Sequence, residues 1–215
     1  MRQARSESMI ETALPLLREL EAELRTSREV ALRELWARLV VASPALAAHA
    51  RRTGLHAVAL GQALELSHPE QRDLGLAGLL HDLGLLTLSQ TPDEHAPPLT
   101  AEDYARFQSH PRAGAALLQP YVALRSAALF IAHHHERWDG YGYPYGLRGK
   151  FIPLGARILA VADLYDALHS SEGPASHPGT PASVALLQAV SGSVLDPYLV
   201  RIFTRLLTEA SEPAR

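Results

Sequence analysis

Residues 133–166 read HHHERWDGYGYPYGLRGKFIPLGARILAVADLYD. His134 and His135 stand at the start of this stretch, and Asp163 and Asp166 stand near its end. The Gly-, Tyr- and Pro-rich middle cannot continue as an ordinary helix, because proline removes a backbone donor and glycine adds chain entropy. A helix that stops at a histidine cluster, then a shaped loop, then a helix carrying aspartates describes a site rather than a core. The pair His81-Asp82, in LLHDLG, supplies the other half of that site.

Working outward, apolar residues recur at helical spacing almost everywhere. Ser8–Arg25 carries Leu14, Leu17, Leu20 and Leu24 on one stripe, and Val30–Val41 repeats the pattern with Leu32, Trp36 and Leu39. Pro44 follows Ser43 as an N1 proline, with Gly54 a candidate kink in a helix that runs on to Leu66. Ser67 starts a helix expected over Pro69–Leu86. Thr100 and Asp103 make an acidic capping box. A short helix follows His110-Pro111, Pro120 opens the helix that ends in the triple histidine, and Pro153 opens the one with Asp163. Helices are also expected over Pro181–Val190 and Pro197–Glu209. Residues 89–98 and 170–181 read as polar or flexible loops. No period-two pattern is sustained, although residues 140–152 suit a short hairpin. The fold class is all-α, with leading helices over residues 1–43 and a main domain over 44–215. The leading helices either cover the core or form a homodimer interface.

The chain has 215 residues, of which 47% are hydrophobic, enough for a substantial core. Its formal charge of -3 advertises neither a nucleic-acid duplex nor a membrane surface. The absence of cysteine excludes disulfides, thiolate metal sites and a cysteine nucleophile, and fits a cytoplasmic setting. Neither a signal peptide nor a membrane span is expected from the hydropathy pattern.

The candidate ligands are His49, His81, Asp82, His110, His134, His135 and Asp163. Each falls near the middle or end of a predicted helix, where rigid backbone can aim it inward. A carboxylate such as Asp82 can bridge two cations while an imidazole binds one. Mixed nitrogen and carboxylate donors suit divalent Fe, Mn or Zn better than Ca or Mg. Two such ions about 3.5–4 Å apart form a clamp for phosphoester hydrolysis. Taken singly, each of these residues has a commoner explanation: His56, His68, His95, His133, His169 and His177 read as packed or surface histidines. The joint pattern carries the argument.

That pattern resembles the HD-GYP family of phosphohydrolases over residues 45–205. The motifs are His134-His135-Glu136, Asp139-Gly140, Gly142-Tyr143-Pro144, Gly146-Leu147, Ile152-Pro153, Ala156-Arg157-Ile158, Ala162-Asp163 and Asp166-Ala167-Leu168, with His81-Asp82, His49, His110-Pro111 and Asp196-Pro197 at matching positions. The resemblance implies an all-α bundle with two divalent transition metals, Fe or Mn first and Zn or Ni as alternatives. It implies hydrolysis of cyclic di-GMP to pGpG or GMP in bacterial signalling. His49, His81, Asp82 and Asp163 would hold one metal and His110, His134 and His135 the second. Asp82 would bridge them as the catalytic carboxylate, and Gly142, Tyr143 and Pro144 would shape the substrate loop.

Three positions depart from the family pattern. Leu85 stands where a lysine is usual, Glu172 stands near a usually basic run, and Ala45 replaces the glutamate of three-metal members. Leu85 and Glu172 motivate two alternatives: a module that binds a nucleotide or a protein partner such as a diguanylate cyclase, and a hydrolase for another phosphoester.

Overall fold

The computed structural model describes residues 4–27, 29–88, 100–171 and 181–211. They form helices α1 (Ala4–Thr26), α2 (Val30–Ala42), α3 (Pro44–Ala63), α4 (His68–Leu80), α5 (Ala101–Phe107), α6 (His110–Leu118), α7 (Arg125–His133), α8 (Leu154–Ser171), α9 (Pro181–Ala189) and α10 (Pro197–Ser211). No strand occurs among the described residues, so the fold is all-α. The loop of residues 89–98, Glu172 and the segment after it, and the side chains of His95, His169 and His177 lie outside the described residues.

Helices α3 and α4 form the central wall. The contact depends on glycine: a Cβ on Gly78 would sit 2.3 Å from Gly54 Cα. Gly54 therefore does not kink α3, as its sequence position suggested; α3 runs unbroken and Gly54 lets α4 cross at close range. On one side of this wall, Leu17, Leu20, Trp36 and Leu39 from α1 and α2 pack with Leu79, Leu80 and Ile131. On the other, Leu60 and Leu74 meet Ile158, Val161, Tyr165, Leu199 and Phe203 from α8 and α10. Each fully buried Leu or Phe contributes about 1.5–3 kcal/mol, so both clusters hold the wall rigid.

Local chemistry sets most boundaries. Ser43 Oγ accepts from the Leu46 N–H at the start of α3. Glu70 accepts from the backbone N–H and hydroxyl of Ser67, and Asp103 does the same for Thr100. Several expected elements differ. Pro120 lies in a turn, a 3-10 turn covers Val122–Leu124, and α7 starts only at Arg125. Residues 140–152 form no hairpin. They are a loop with a 3-10 turn at Gly149–Phe151. The residues just before it join the segment before α10 through Trp138 N–H to Val194 O (2.9 Å) and Asp139 N–H to Ser193 O (2.8 Å), and Gly149 N–H donates back to Trp138 O (3.0 Å).

Candidate metal centre

Helix α4 stops at Leu80 rather than continuing to Leu86. Asp82 takes φ -92°, ψ 7°, and a 3-10 turn covers Leu83–Thr87. Adjacent residues in a continued helix would diverge by about 100°; the break lets both His81 and Asp82 face one cavity. Gly84 makes the break fit, since a Cβ there would lie 2.0 Å from the His110 carbonyl oxygen. This close approach brings the start of α6 against the carboxylate of Asp82.

The result is two groups of potential ligands. His49, His81 and Asp163 form one and His110, His134 and His135 the other, the ligand atoms of each lying within 4.8 Å of one another. Within the first, His49 Nε2 is 3.0 Å from Asp163 Oδ1 and 3.2 Å from His81 Nε2. In the second, His110 Nε2 is 3.5 Å from His134 Nε2. Asp82 stands between them: its Oδ2 is 3.1 Å from His81 Nε2, and its Oδ1 is 3.4 Å from His110 Nε2. All seven candidate ligands thus converge on one site. His133 does not join them; it stacks on Tyr145 and its Nδ1 meets the Leu129 carbonyl. His56 packs edge-on against Tyr165, away from the site.

Ring orientation is set from behind. The Nδ1 atoms of His81, His110 and His134 meet the carbonyls of Gly78 (2.9 Å), Phe107 (2.8 Å) and Ile131 (2.7 Å). A carbonyl only accepts, so Nδ1 carries the proton and Nε2 is left free toward the cavity. His49 differs, because its Nδ1 lies 2.7 Å from Asp166 Oδ2. Asp166 is fully buried and also accepts from Arg52 Nε (2.6 Å) and Nη2 (2.9 Å). Sequence reasoning noticed Asp166 but gave it no role, and it missed Arg52. The signal was Asp166 one helical turn beyond Asp163, which places both carboxylates on the same face of α8.

The two groups are electrostatically unlike. Burial opposes charge on His49, but bonds to Asp163 and Asp166 overcome it and push its pKa up to about 10. His81 is also raised, against burial, chiefly by Asp82. Burial, with neighbouring imidazoles, lowers His134 and pushes His135 down to about 3. Burial, only partly offset by Asp82, lowers His110. Asp82 and Asp163 are held low despite burial by the histidines around them. With no ion bound, the carboxylates of the first group favour protonated imidazoles, whereas burial in the second favours neutral ones.

The Gly-Tyr-Pro loop closes the second group. Glu136 is buried and accepts from the N–H groups of Tyr145 (2.7 Å) and Leu147 (2.9 Å). The Tyr143 N–H donates to His135 O (3.1 Å), and the Tyr143 ring stacks on His135 at 4.9 Å. Gly142 permits this approach, since a Cβ there would be 2.2 Å from Arg137 N. Pro144 follows through a cis peptide bond. Arg157 and Asp196, which also match the family pattern, pair with each other (2.6 Å) beneath the loop and serve structure. Leu85 is buried, bordering a groove with Ala37, Arg38, Val41 and Ala42 of α2, and offers no cation.

This fold and site place the chain in a known class. It belongs to the HD domain family, whose profile matches residues 7–199. More particularly, it carries an HD-GYP domain. It is 36% identical over 149 residues to a cyclic di-GMP phosphodiesterase of Pseudomonas aeruginosa, covering 69% of this chain and 36% of that protein. It is 37% identical over 148 residues to the cyclic di-GMP phosphodiesterase response regulator RpfG of Xanthomonas campestris pv. campestris, covering 68% and 39%. The chain thus spans under two fifths of the length of these two curated relatives. Among solved structures, an HDG"Y"P protein of Bdellovibrio bacteriovorus superposes with a TM-score of 0.62 at 19% identity, over 96% of this chain and 72% of that one, a likeness of fold. No helix among the described residues is long and apolar enough to cross a membrane.

Proposed function

We propose that this chain is a metal-dependent phosphodiesterase that hydrolyses cyclic di-GMP or a related cyclic dinucleotide. The carrying observation is Asp82, whose two oxygens face the two ligand groups separately. His49, His81 and Asp163 would hold one divalent ion and His110, His134 and His135 the other, with Asp82 spanning both. The donor set, imidazoles with carboxylates and no thiolate, fits Fe or Mn, with Zn or Ni as alternatives. Two such ions, when bound, supply Lewis-acid polarisation of a phosphoryl oxygen and activation of water.

The chain's own residues do the rest. The backbone carbonyls and Asp166 hold the imidazoles in the tautomer that leaves Nε2 free. Burial of His81, His110 and His134 keeps bulk water from competing for the ligands. Tyr143, anchored through Glu136 and Gly142, walls the side beside His135 and defines where a substrate enters.

The test is incubation of Mn- or Fe-loaded protein with cyclic di-GMP and chromatography of the products. Formation of pGpG or GMP, abolished by Asp82→Ala, is expected. Absence of product with either metal, and with other cyclic dinucleotides, overturns the proposal. A second reading, a module that binds a protein partner such as a diguanylate cyclase, draws on the loop itself. Tyr141 and Phe151 are 87% and 85% exposed there, beside Lys150. Turnover abolished by Asp82→Ala decides for the enzyme.

A further inference from the structure

A cyclic dinucleotide carries two phosphodiester groups, and a two-ion centre accommodates one of them. The other needs a counter-charge, and Leu85, buried beside α2, cannot supply it. A cleft of about 540 Å³ lies beside the candidate ligands, where α5 meets α6 and the Gly-Tyr-Pro loop. Gln108, Ser109, Arg112, Tyr143 and Pro144 line it together with two alanines. The cleft adjoins the metal ligands directly: Ser109 precedes His110, and the Tyr143 ring lies against His135.

Arg112 is the sole charged side chain lining this cleft, and it is exposed. Five other arginines are engaged in ion pairs: Arg51 with Glu21, Arg52 with Asp166, Arg72 with Glu23, Arg137 with Asp139 and Arg157 with Asp196. Among the described residues Arg112 has no acidic partner. A guanidinium with its donors uncommitted, next to a carboxamide and an aromatic wall, matches the chemistry of a nucleotide. The guanidinium meets two phosphate oxygens at once, and the ring and amide meet the base.

The geometry points to this cleft as the subsite for the second phosphate and its nucleoside, with Arg112 as the recognising cation. The assignment rests on the reading of the site as a cyclic dinucleotide phosphodiesterase. It places substrate specificity on Arg112 of α6 rather than on the position of Leu85.

The experiment uses the full manganese-loaded chain and the bis-phosphorothioate analogue of cyclic di-GMP, which resists hydrolysis, with affinity measured by calorimetry. Arg112→Ala is expected to weaken binding about 10- to 100-fold, the range for a lost charge-assisted phosphate contact. Arg112→Lys is expected to fall between, and Arg112→Glu to be weakest, each retaining far-ultraviolet dichroism because the side chain is exposed. Arg205→Ala, on the exposed surface of α10, serves as the control and keeps wild-type affinity. Equal affinities for wild type, Arg112→Ala and Arg112→Glu overturn the subsite, while wild-type turnover of cyclic di-GMP still supports the enzymatic reading. Wild-type protein that binds no analogue and turns over no cyclic dinucleotide overturns both.

Discussion

Asp166→Asn is expected to remove one metal ion selectively. Among the described residues Asp166 meets the candidate ligand His49, at 2.7 Å. The substitution keeps the side chain's shape and removes its charge. The retained oxygen, at the Oδ2 position, still accepts from His49 Nδ1 and Arg52 Nη2, now without the full negative charge, and the new amide at the Oδ1 position points a donor at Arg52 Nε, which also donates. Arg52 is 42% exposed and can turn to water, so no charge is left stranded. The stability cost is therefore about 2–3 kcal/mol, that of one or two charge-assisted bonds discounted for exposure. The effect on metal is larger in consequence. Loss of a carboxylate behind a ligating histidine typically costs 10- to 100-fold in affinity, through ring orientation and basicity. At a free metal concentration that just saturates wild type, elemental analysis after equilibrium dialysis is expected to find one ion of the pair depleted. The same variant is expected to keep the ion at His110, His134 and His135, whose rings are held by backbone carbonyls and by Tyr143. Retention of both ions with wild-type affinity, or parallel loss of both, would refute the positioning role.

Two further outcomes follow from the same geometry. Glu136→Gln is expected to loosen the Gly-Tyr-Pro loop, since the N–H groups of Tyr145 and Leu147 lose a charged acceptor at about 1.5–3 kcal/mol each. Limited proteolysis should then cleave within residues 140–148 faster than in wild type, and an unchanged cleavage rate counts against the anchor. In chelator-treated protein, His49 has a folded-state pKa of about 10 against an ordinary 6.5, a raised value. Its stabilisation is complete below pH 6.5 and is lost as pH rises through about 10. The thermal midpoint of the chelated chain should fall across that window, and His49→Gln should flatten the fall; a His49→Gln chain with the wild-type slope removes the assignment.

Much of this was legible along the chain. The helical periodicity gave the all-α class, because a 3.6-residue repeat of Leu, Val and Ala has one stable use. The capping residues Ser43, Ser67 and Thr100 marked helix starts, because a side chain that satisfies an orphan N–H acts within three residues of itself. The seven metal-ligand candidates were readable because imidazole and carboxylate donors are few enough to be noticed when they cluster. Errors fell where contact between distant segments overrides local preference. Leu83–Leu86 continues a helical pattern, but Gly84 must fit against the His110 carbonyl, so the helix ends at Leu80. Gly54 signals a kink by itself and proves to be a crossing point once Gly78 lies on it. Residues 140–152 suit a short hairpin by themselves, yet the buried carboxylate of Glu136, which accepts from Tyr145 and Leu147, holds them as a loop instead.

The sequence by itself therefore determined the class of fold and which side chains are candidate ligands, since these depend on residue type and short-range spacing. Only the tertiary structure decided how those ligands divide. It sorted the candidates into a group holding Asp163, backed by Asp166 and Arg52, and an all-imidazole group closed by Tyr143, and it set Asp82 with one oxygen toward each. It also turned Leu85 toward α2 and left Arg112 facing a cleft. The physical reason is distance: His49 and Asp166 are 117 residues apart along the chain and 2.7 Å apart in space. Such pairings follow from how helices pack, and glycine contacts such as Gly54 on Gly78 set that packing.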